Sequence, residues 1–587
     1  MSEQYIYRNK EYIKVLPAWA QELANKYGSK TANLYILHGN IRDYLPHERK
    51  EGEFTIKRVQ DYISEILFGN RDIIAYYDRS SGVTFCEPEM ERDYLEAAPS
   101  FAVSEDIDKG DFTSCDPEKS FRYLEKYFLS QSVDEKRKLR KVFIIDFAEH
   151  IVPAGDLIRL SDTDRYCMVT FSRWATDPRF NYGDITVILL TENLSNISSS
   201  LIGSPYTVKI NVPFPDEKIR AKYLRFIQEK GKLLLDRALT PDKLAAITSG
   251  LNLKNLSLLA AESFEKDEPL SLEFMRQKKK EIIESTAVGL LEFMETSYDL
   301  SHVSGHDFVK KRFKNAAKAI KKGRPDVMPM GYLIAGPVGT GKSFMVNAFA
   351  GEIGIPMVKF RNFRSKWQGE TESNLERVLN ILVAMAPVGV MIDEADAFLG
   401  DRNQDGDSGT SNRVFAQIAS FMGNTEYRGK IIWFLITCRP DLIPIDLKRQ
   451  GRAEEHLALF YPESIKERED LFKTLVRKNN LDIRNFSFYD LFKRFNHEYS
   501  GADLEAVLYR AKLNAAMDDR VFIRREDMEE AMDDFRPAAY PYEIELQHLV
   551  AVLECTSKEM IPKRFQNLNR TKIISNIQEL KTLLGER

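Results

Sequence analysis

Cysteine is scarce in this chain, with five in 587 residues (Cys86, Cys115, Cys167, Cys438 and Cys555) and no C-x-x-C pair. That scatter offers neither a disulfide framework nor a zinc site, and it suits a reducing, cytoplasmic setting. Long apolar runs are missing too. The nearest to one, Ile381 to Ile392, contains Pro387 and Gly389 and is too short to cross a bilayer, so no membrane span is expected. The opening MSEQYIYRNKEY has no apolar signal-peptide core. Neither sign of charge dominates: 84 Lys and Arg against 88 Asp and Glu leave a net −4, which argues against a dedicated nucleic-acid binder. His38 and His456 have no partner histidines at ligand spacing and read as structural. The rest is ordinary globular composition, 43% hydrophobic and 29% charged, in a chain long enough for several domains.

The stretch that organises the chain is Gly331 to Ser343, GYLIAGPVGTGKS. An apolar strand, Tyr332 to Ala335, breaks into Gly336-Pro337-Val338-Gly339-Thr340-Gly341-Lys342-Ser343, and an apolar helix pattern begins at Phe344. This is G-x-x-x-x-G-K-[ST] in its strand-to-helix setting, a loop that cradles polyphosphate. Close backbone N–H donors require bare glycine at Gly339 and Gly341, and the following helix aims its positive end at the phosphates. Lys342 supplies a point charge, and Ser343 a hydroxyl for Mg²⁺. By contrast, Gly28-Ser29-Lys30-Thr31 precedes its strand, so it reads as a linker.

In chain order, residues 1–30 read as a helical lead-in with Val15, Leu16, Trp19 and Leu23 at helical spacing. Strands are expected at Asn33 to Leu37, Ile73 to Tyr77, Lys141 to Ile145, Ile185 to Leu190 and Tyr206 to Val212. Ser100 to Pro117 reads as an acidic surface loop. Leu244 to Phe264 and Phe274 to Phe293 read as lid helices. Residues 31–290 thus form one module. The plan repeats: helix Asp307 to Lys322, strands at Pro356 to Phe360, Gly389 to Ile392 and Lys430 to Thr437, completing a large subdomain over 291–463. A helical lid follows over 464–536, with a helical extension over 537–587. Val142 to Ala148 aligns with Gly389 to Ala395, and Val187 to Asn193 with Trp433 to Arg439, which implies tandem duplication of an α/β, parallel-sheet module. The run Lys278-Lys279-Lys280-Glu281 reads as a solvated helix face.

About fifty residues past the phosphate loop, Val388 to Asp396 delivers two adjacent carboxylates to the end of a buried strand, where ligands sit in open parallel sheets. Asp393 would hold the metal, and Glu394 would polarise the attacking water as general base. With Arg439-Pro440-Asp441, Arg449-Gln450-Gly451-Arg452 and Ser500-Gly501-Ala502-Asp503-Leu504, these motifs resemble, in order, those of the AAA-clade ATPases. Katanin, spastin, the valosin-containing protein and the N-ethylmaleimide-sensitive factor belong to that clade. The resemblance is close over about 296–536. The first half resembles a degenerate AAA module, and the two-module layout is similar to a chloroplast and cyanobacterial AAA family with an inactive first module.

The resemblance implies two tandem P-loop-type modules, each a parallel sheet with flanking helices and a small helical lid, using ATP and Mg²⁺. It implies that Arg449 and Arg452 are paired arginine fingers reaching the γ-phosphate of a neighbouring subunit, hence a homo-oligomeric ring, typically a hexamer. It places backbone at Val303-Ser304-Gly305 and at Gly501-Ala502 around the adenosine, and carries Phe344 with the phosphate loop. At the usual sensor asparagine this chain has Cys438, within Thr437-Cys438-Arg439. A thiol positions water poorly, so either Thr437 takes over or turnover is slow. In the first half Asp146 matches the metal aspartate, but Phe147 replaces the glutamate and no phosphate loop precedes it, so residues 1 to about 290 are expected not to use ATP.

Ser365 to Glu372 resembles the pore loop of protein-remodelling members, with Trp367 as the gripping aromatic beside Lys366, Gln368 and Gly369. Asp401 to Asp407 partly fits a calcium loop, but Asn412 stands where a bidentate glutamate is needed; a second pore loop fits better. The reading is an ATPase ring that remodels or unfolds a protein partner, with a nucleotide-dependent scaffold as the rival and a DNA motor disfavoured by charge.

Overall fold

The computed structural model describes residues 10–48, 54–69, 71–101, 112–131, 139–155, 158, 160–237, 239–287, 289–361, 371–399, 410–483, 487–536 and 540–585. Lys366, Trp367, Gln368 and Gly369, the Asp401 to Asp407 stretch and most of the Ser100 to Pro117 loop lie outside the described residues. Contacts divide the chain into two compact units, 1–283 with 372–384, and 284–371 with 385–587.

The first unit contains β1 (Leu34–Gly39), β2 (Tyr44–Glu48), β3 (Phe54–Arg58), β4 (Ile73–Asp78), β5 (Gly82–Phe85), β6 (Lys141–Ile145), β7 (Ile185–Thr191) and β8 (Thr207–Val212). Its six-stranded sheet runs β5-β4-β6-β7-β1-β8, parallel except where β5 turns back on β4; β2 and β3 form a separate hairpin. Every residue of β6 and β7 is buried. Covered on both faces, such strands must be apolar throughout, which explains their unbroken hydrophobic runs. Phe121, Phe143, Phe171 and Trp174 fill one face, and Trp19, Tyr35, Tyr62 and Ile144 the other.

The second unit adds β9 (Leu291–Phe293), β10 (Gly331–Ala335), β11 (Met357–Phe360), β12 (Val388–Ile392), β13 (Ile431–Thr437) and β14 (Glu455–Ala458), in the order β14-β10-β13-β12-β11-β9. All pairs are parallel except β9 on β11. Strand for strand, β10 lies between β13 and β14 as β1 lies between β7 and β8, and β12 lies between β11 and β13 as β6 lies between β4 and β7. The repeat legible in the sequence is a repeat of topology. Helices Ile465–Lys478, Phe488–Arg494, Gly501–Met517 and Arg525–Asp534 enclose their own core around Phe472, Phe492, Leu508 and Met528. Helices Pro541–Glu554 and Arg570–Leu583 pack together against Ala335, Ala458 and Phe460, at the strand ends that carry the phosphate loop.

Four local expectations fail. In the Lys278 to Glu281 run, expected as a solvated face, Lys279 is buried and its Nζ donates to the Ile247 carbonyl and to Ser249 Oγ (3.0 Å each). The helix expected over Phe274 to Phe293 stops at Thr286, and Leu291–Phe293 instead pairs with β11. The helix expected over Leu244 to Phe264 is two, Pro241–Ile247 and Leu253–Lys266, the second starting on a capping box at Asn252. Val15 is 70% exposed, whereas Leu16, Trp19 and Leu23 are buried, because the first helix ends at Val15 and the next begins at Ala18. No helix among the described residues is long and apolar enough to cross a membrane.

Candidate functional site

The phosphate loop leaves β10 and enters the helix Lys342–Ile353 with Gly336, Gly339 and Gly341 all at positive φ. Two of these glycines are sterically enforced. A Cβ on Gly336 would lie 2.1 Å from the Leu459 carbonyl oxygen, and one on Gly339 would lie 2.7 Å from Ser500 Oγ. Lid and loop meet here: the Gly501 N–H donates to the Gly339 carbonyl (3.0 Å).

Lys342 is buried, 8% exposed. Its Nζ donates to the carbonyls of Gly336 and Pro337 (2.8 Å each) and to Cys438 Sγ (3.2 Å). Among the described residues no carboxylate comes within ion-pair distance of it. An ammonium withdrawn from water without a counter-ion is costly, and an entering polyphosphate would supply that counter-ion. Ser343 Oγ donates to both oxygens of Asp393 (3.2 and 3.1 Å). This hydroxyl–carboxylate pair is a hard-cation donor set that fits Mg²⁺. Lys359 Nζ, 3.2 Å from Asp393 Oδ2, shares that carboxylate. Glu394 is exposed and sits in the left-handed region at φ 50°, a conformation that costs on the order of 1 kcal/mol outside glycine.

Beside the loop opens a cavity of about 590 Å³, whose lining includes Gly305, His306, Gly339, Thr340, Gly341, Phe344, Tyr461, Lys478, Gly501 and Ala502. It brings together the predicted residues Gly305, Phe344, Gly501 and Ala502, drawn from three segments of the sequence. Lys478 Nζ stands 4.8 Å from the Phe344 ring centroid. Sequence reasoning missed the wall formed by Met560 to Lys563, as well as Gln547 and Tyr461. Gln547 Oε1 accepts the Val338 N–H (3.0 Å), and the Tyr461 hydroxyl donates to the Val338 carbonyl (2.7 Å). Spacing carries no signal for contacts that arrive from so far along the chain, 123 residues for Tyr461 and 209 for Gln547.

Thr437 does not join the cavity. It is 1% exposed; its Oγ1 donates to Asp396 Oδ1 (2.6 Å) and accepts the Arg439 N–H (2.8 Å). The hydroxyl is thus engaged by both Asp396 and Arg439. Arg449 is exposed. Arg452 Nη1 donates to the Asp446 carbonyl (2.8 Å), while its Nε is buried without a hydrogen-bond partner. Burial, and then the charge of Arg449, press the Arg452 pKa below its usual value. No described contact joins either arginine to the phosphate loop.

The corresponding strand ends of the first unit are built differently. After Gly39 comes the β2–β3 hairpin, and among the described residues helical structure resumes only at Val59, so no helix continues directly from the loop as Lys342–Ile353 does from the phosphate loop. Arg42 Nη1 pairs with both oxygens of Asp146 (2.7 and 2.8 Å), and its guanidinium lies 3.9 Å from the Phe147 ring centroid. Asp43 is buried and accepts from Asn40 Nδ2 and from the Leu253 and Lys254 amides (2.8, 3.1 and 2.9 Å). Phe147 keeps the left-handed backbone of Glu394, at φ 51°. The turn survives where the carboxylate does not.

Three family models match parts of the chain: AAA+ chaperone, N-terminal Rossmann-like domain, over residues 9–213; AAA+ chaperone, second helical domain, over 218–288; and ATPase family associated with various cellular activities, over 332–461. Among curated relatives, an uncharacterized AAA domain-containing protein ycf46 of Guillardia theta is 26% identical over 382 residues, 61% of this chain and 74% of that protein. A cell division cycle protein 48 homolog of Archaeoglobus fulgidus is 26% identical over 410 residues, 62% of this chain and 55% of its own. The ATP-dependent zinc metalloprotease FtsH of Aster yellows witches'-broom phytoplasma is 30% identical over 230 residues, 39% of this chain and 33% of its own. With matches to both modules and a phosphate loop in the second, the chain belongs to the AAA+ ATPase family.

Proposed function

We propose that the second unit binds and hydrolyses Mg-ATP and that the first unit does neither. The observation that carries this is the pairing of Ser343 Oγ with Asp393, beside a buried Lys342 that has no carboxylate partner among the described residues. Lys342 would exchange its two carbonyl contacts for the outer phosphates, and the Gly339 to Ser343 amides would hold them. Mg²⁺ held by Ser343 and Asp393 would neutralise charge on the transferring phosphoryl group. Glu394 would take the proton of the attacking water. Gly305, Gly501, Ala502 and Phe344 would receive the adenosine in the cavity. The unpartnered Arg452 Nε and exposed Arg449 support a second anion arriving from outside the chain, as arginine fingers acting on a neighbour's nucleotide would require. The assembly is then a ring that remodels a protein partner, with Trp367 as its pore residue.

A slower, switch-like scaffold is the second reading. Cys438 at the sensor position and the commitment of Thr437 to Asp396 favour it. Phosphate release decides hydrolysis: Glu394→Gln should lower the rate by about 10²-fold or more while nucleotide binding persists, and equal rates would remove Glu394 from its role. Trp367→Ala separates remodeller from scaffold. A remodeller loses partner processing at unchanged ATP turnover, and a scaffold loses neither.

A further inference from the structure

The relic pocket of the first unit is occupied, and its occupant belongs to the same unit. At the strand ends matching the phosphate loop, the metal aspartate and Cys438 stand Arg42, Asp146 and Glu192. Arg42 neutralises Asp146 and reaches Glu192 Oε1 at 3.6 Å. Helix Thr371–Met385, whose residues 372–384 group with this unit, faces the same ends. Arg377 Nη2 lies 3.5 Å from Glu192 Oε2. Glu376 accepts the Leu194 and Ser195 N–H groups (2.9 Å each) and stands 3.8 Å from His38 Nδ1. Asn193 Nδ2 donates to Ser373 Oγ (2.9 Å). Ser373, Glu376 and Arg377 fall at i, i+3 and i+4, one face of the helix.

Scattered surface ion pairs would not converge in this way. Here His38, Glu376 and Asp146 are each only 16% exposed in their side chains, and Asn193 is 2% exposed. Two backbone amides that follow β7 are satisfied by one carboxylate, and among the described residues Arg42, Asp146, Glu192 and Arg377 are each ion-paired there, although Arg42 Nε and Nη2 make no hydrogen bond. We propose that the degenerate pocket is a docking socket, in which Arg42 replaces the nucleotide's metal as counter-charge and the Ser373–Glu376–Arg377 face is the permanent ligand. The pocket lost its nucleotide chemistry and kept a recognition chemistry: an anionic rim with free amides, read by a helix of matching polarity. From that helix the chain needs only Ala386 and Pro387 to reach β12, which ends beside Asp393.

Hydrogen exchange on the full chain tests this without reference to ATP turnover. Glu376→Ala and Arg377→Ala should each speed exchange at the Leu194 and Ser195 amides and across 371–385 by roughly tenfold, with β1 protection unchanged; Arg42→Ala should do the same by unbalancing Asp146 and Glu192. Unchanged protection of 371–385 in both helix variants would overturn the proposal. Should Glu376→Ala also lose β1 protection, Glu376→Gln decides: it keeps the shape of the side chain, and a partial loss confined to 371–385 and 194–195 is expected, whereas wild-type protection would sink the socket.

Discussion

Lys342 and Arg42 are cations at the ends of equivalent strands, and the company each keeps is opposite. Lys342 rests on two carbonyls and a thiol; Arg42 rests on two carboxylates. A cation without an acid partner is ready for phosphate, and one with two is spent. Cys438 sharpens the contrast, since a thiol beside the ammonium cannot orient water as an amide does. Cys438→Asn should therefore raise ATP turnover by about tenfold, the order of one well-placed polar contact, measured as steady-state phosphate release. A rate unchanged or lowered would show that the thiol is not limiting. The loop, Asp393 and Glu394 were legible because their chemistry is local, within one strand and one turn. Arg42 was not read, although an arginine three residues past the strand-ending Gly39 carried the signal, because nothing nearby in sequence announces Asp146 as its partner. The partner of Thr437 was not legible either, since Asp396 stands forty-one residues away in sequence.

At the scale of elements, the helix Pro541–Glu554 braces the site, and titratable groups hold it there. Glu554 pairs with Lys448 and lies 3.3 Å from His456 Nδ1. Burial disfavours the charged His456 ring, but the Glu554 carboxylate and the Ala453 and Lys448 carbonyls outweigh it, so its pKa is raised above the usual 6.5. This contribution is complete below about 6.5 and is lost as pH rises through the raised value. On the same helix His548 is buried against Phe460 and Tyr461, and burial lowers its pKa to about 4. The unfolded chain therefore takes that proton first, so stability falls as pH drops from about 6.5 towards 4, by on the order of 3 kcal/mol. Thermal midpoints should peak near pH 6.5. His548→Phe should flatten the acid side and His456→Ala the alkaline side; a profile identical in all three proteins would contradict the assignment. Helix positions were readable from periodicity, as in Gly501–Met517. What each helix packs against was not, because Gln547 meets Val338 only after the chain has closed on itself. Leu291–Phe293, a Leu-Glu-Phe segment appended to a helical pattern, is too short to carry a period of its own and takes strand form from β11.

At the scale of the molecule, one sheet topology occurs twice, with a phosphate loop at the strand ends of the second copy and internal ion pairs at those of the first. The tandem plan was visible because β6 with β12, and β7 with β13, are buried runs ending in matching residues. If Arg449 and Arg452 act on a neighbour's nucleotide, the Lys342→Ala protein and the Arg449→Ala/Arg452→Ala double variant should each be inactive, and mixing them should restore part of the phosphate release. Failure of every mixture to recover activity would argue for a pocket complete within one chain. The most direct test of the account is nucleotide stoichiometry, measured by titration calorimetry on the Glu394→Gln protein with Mg-ATP. The account predicts one ATP per chain, lost on adding Lys342→Ala. Two per chain, or binding that survives that second substitution, would contradict it.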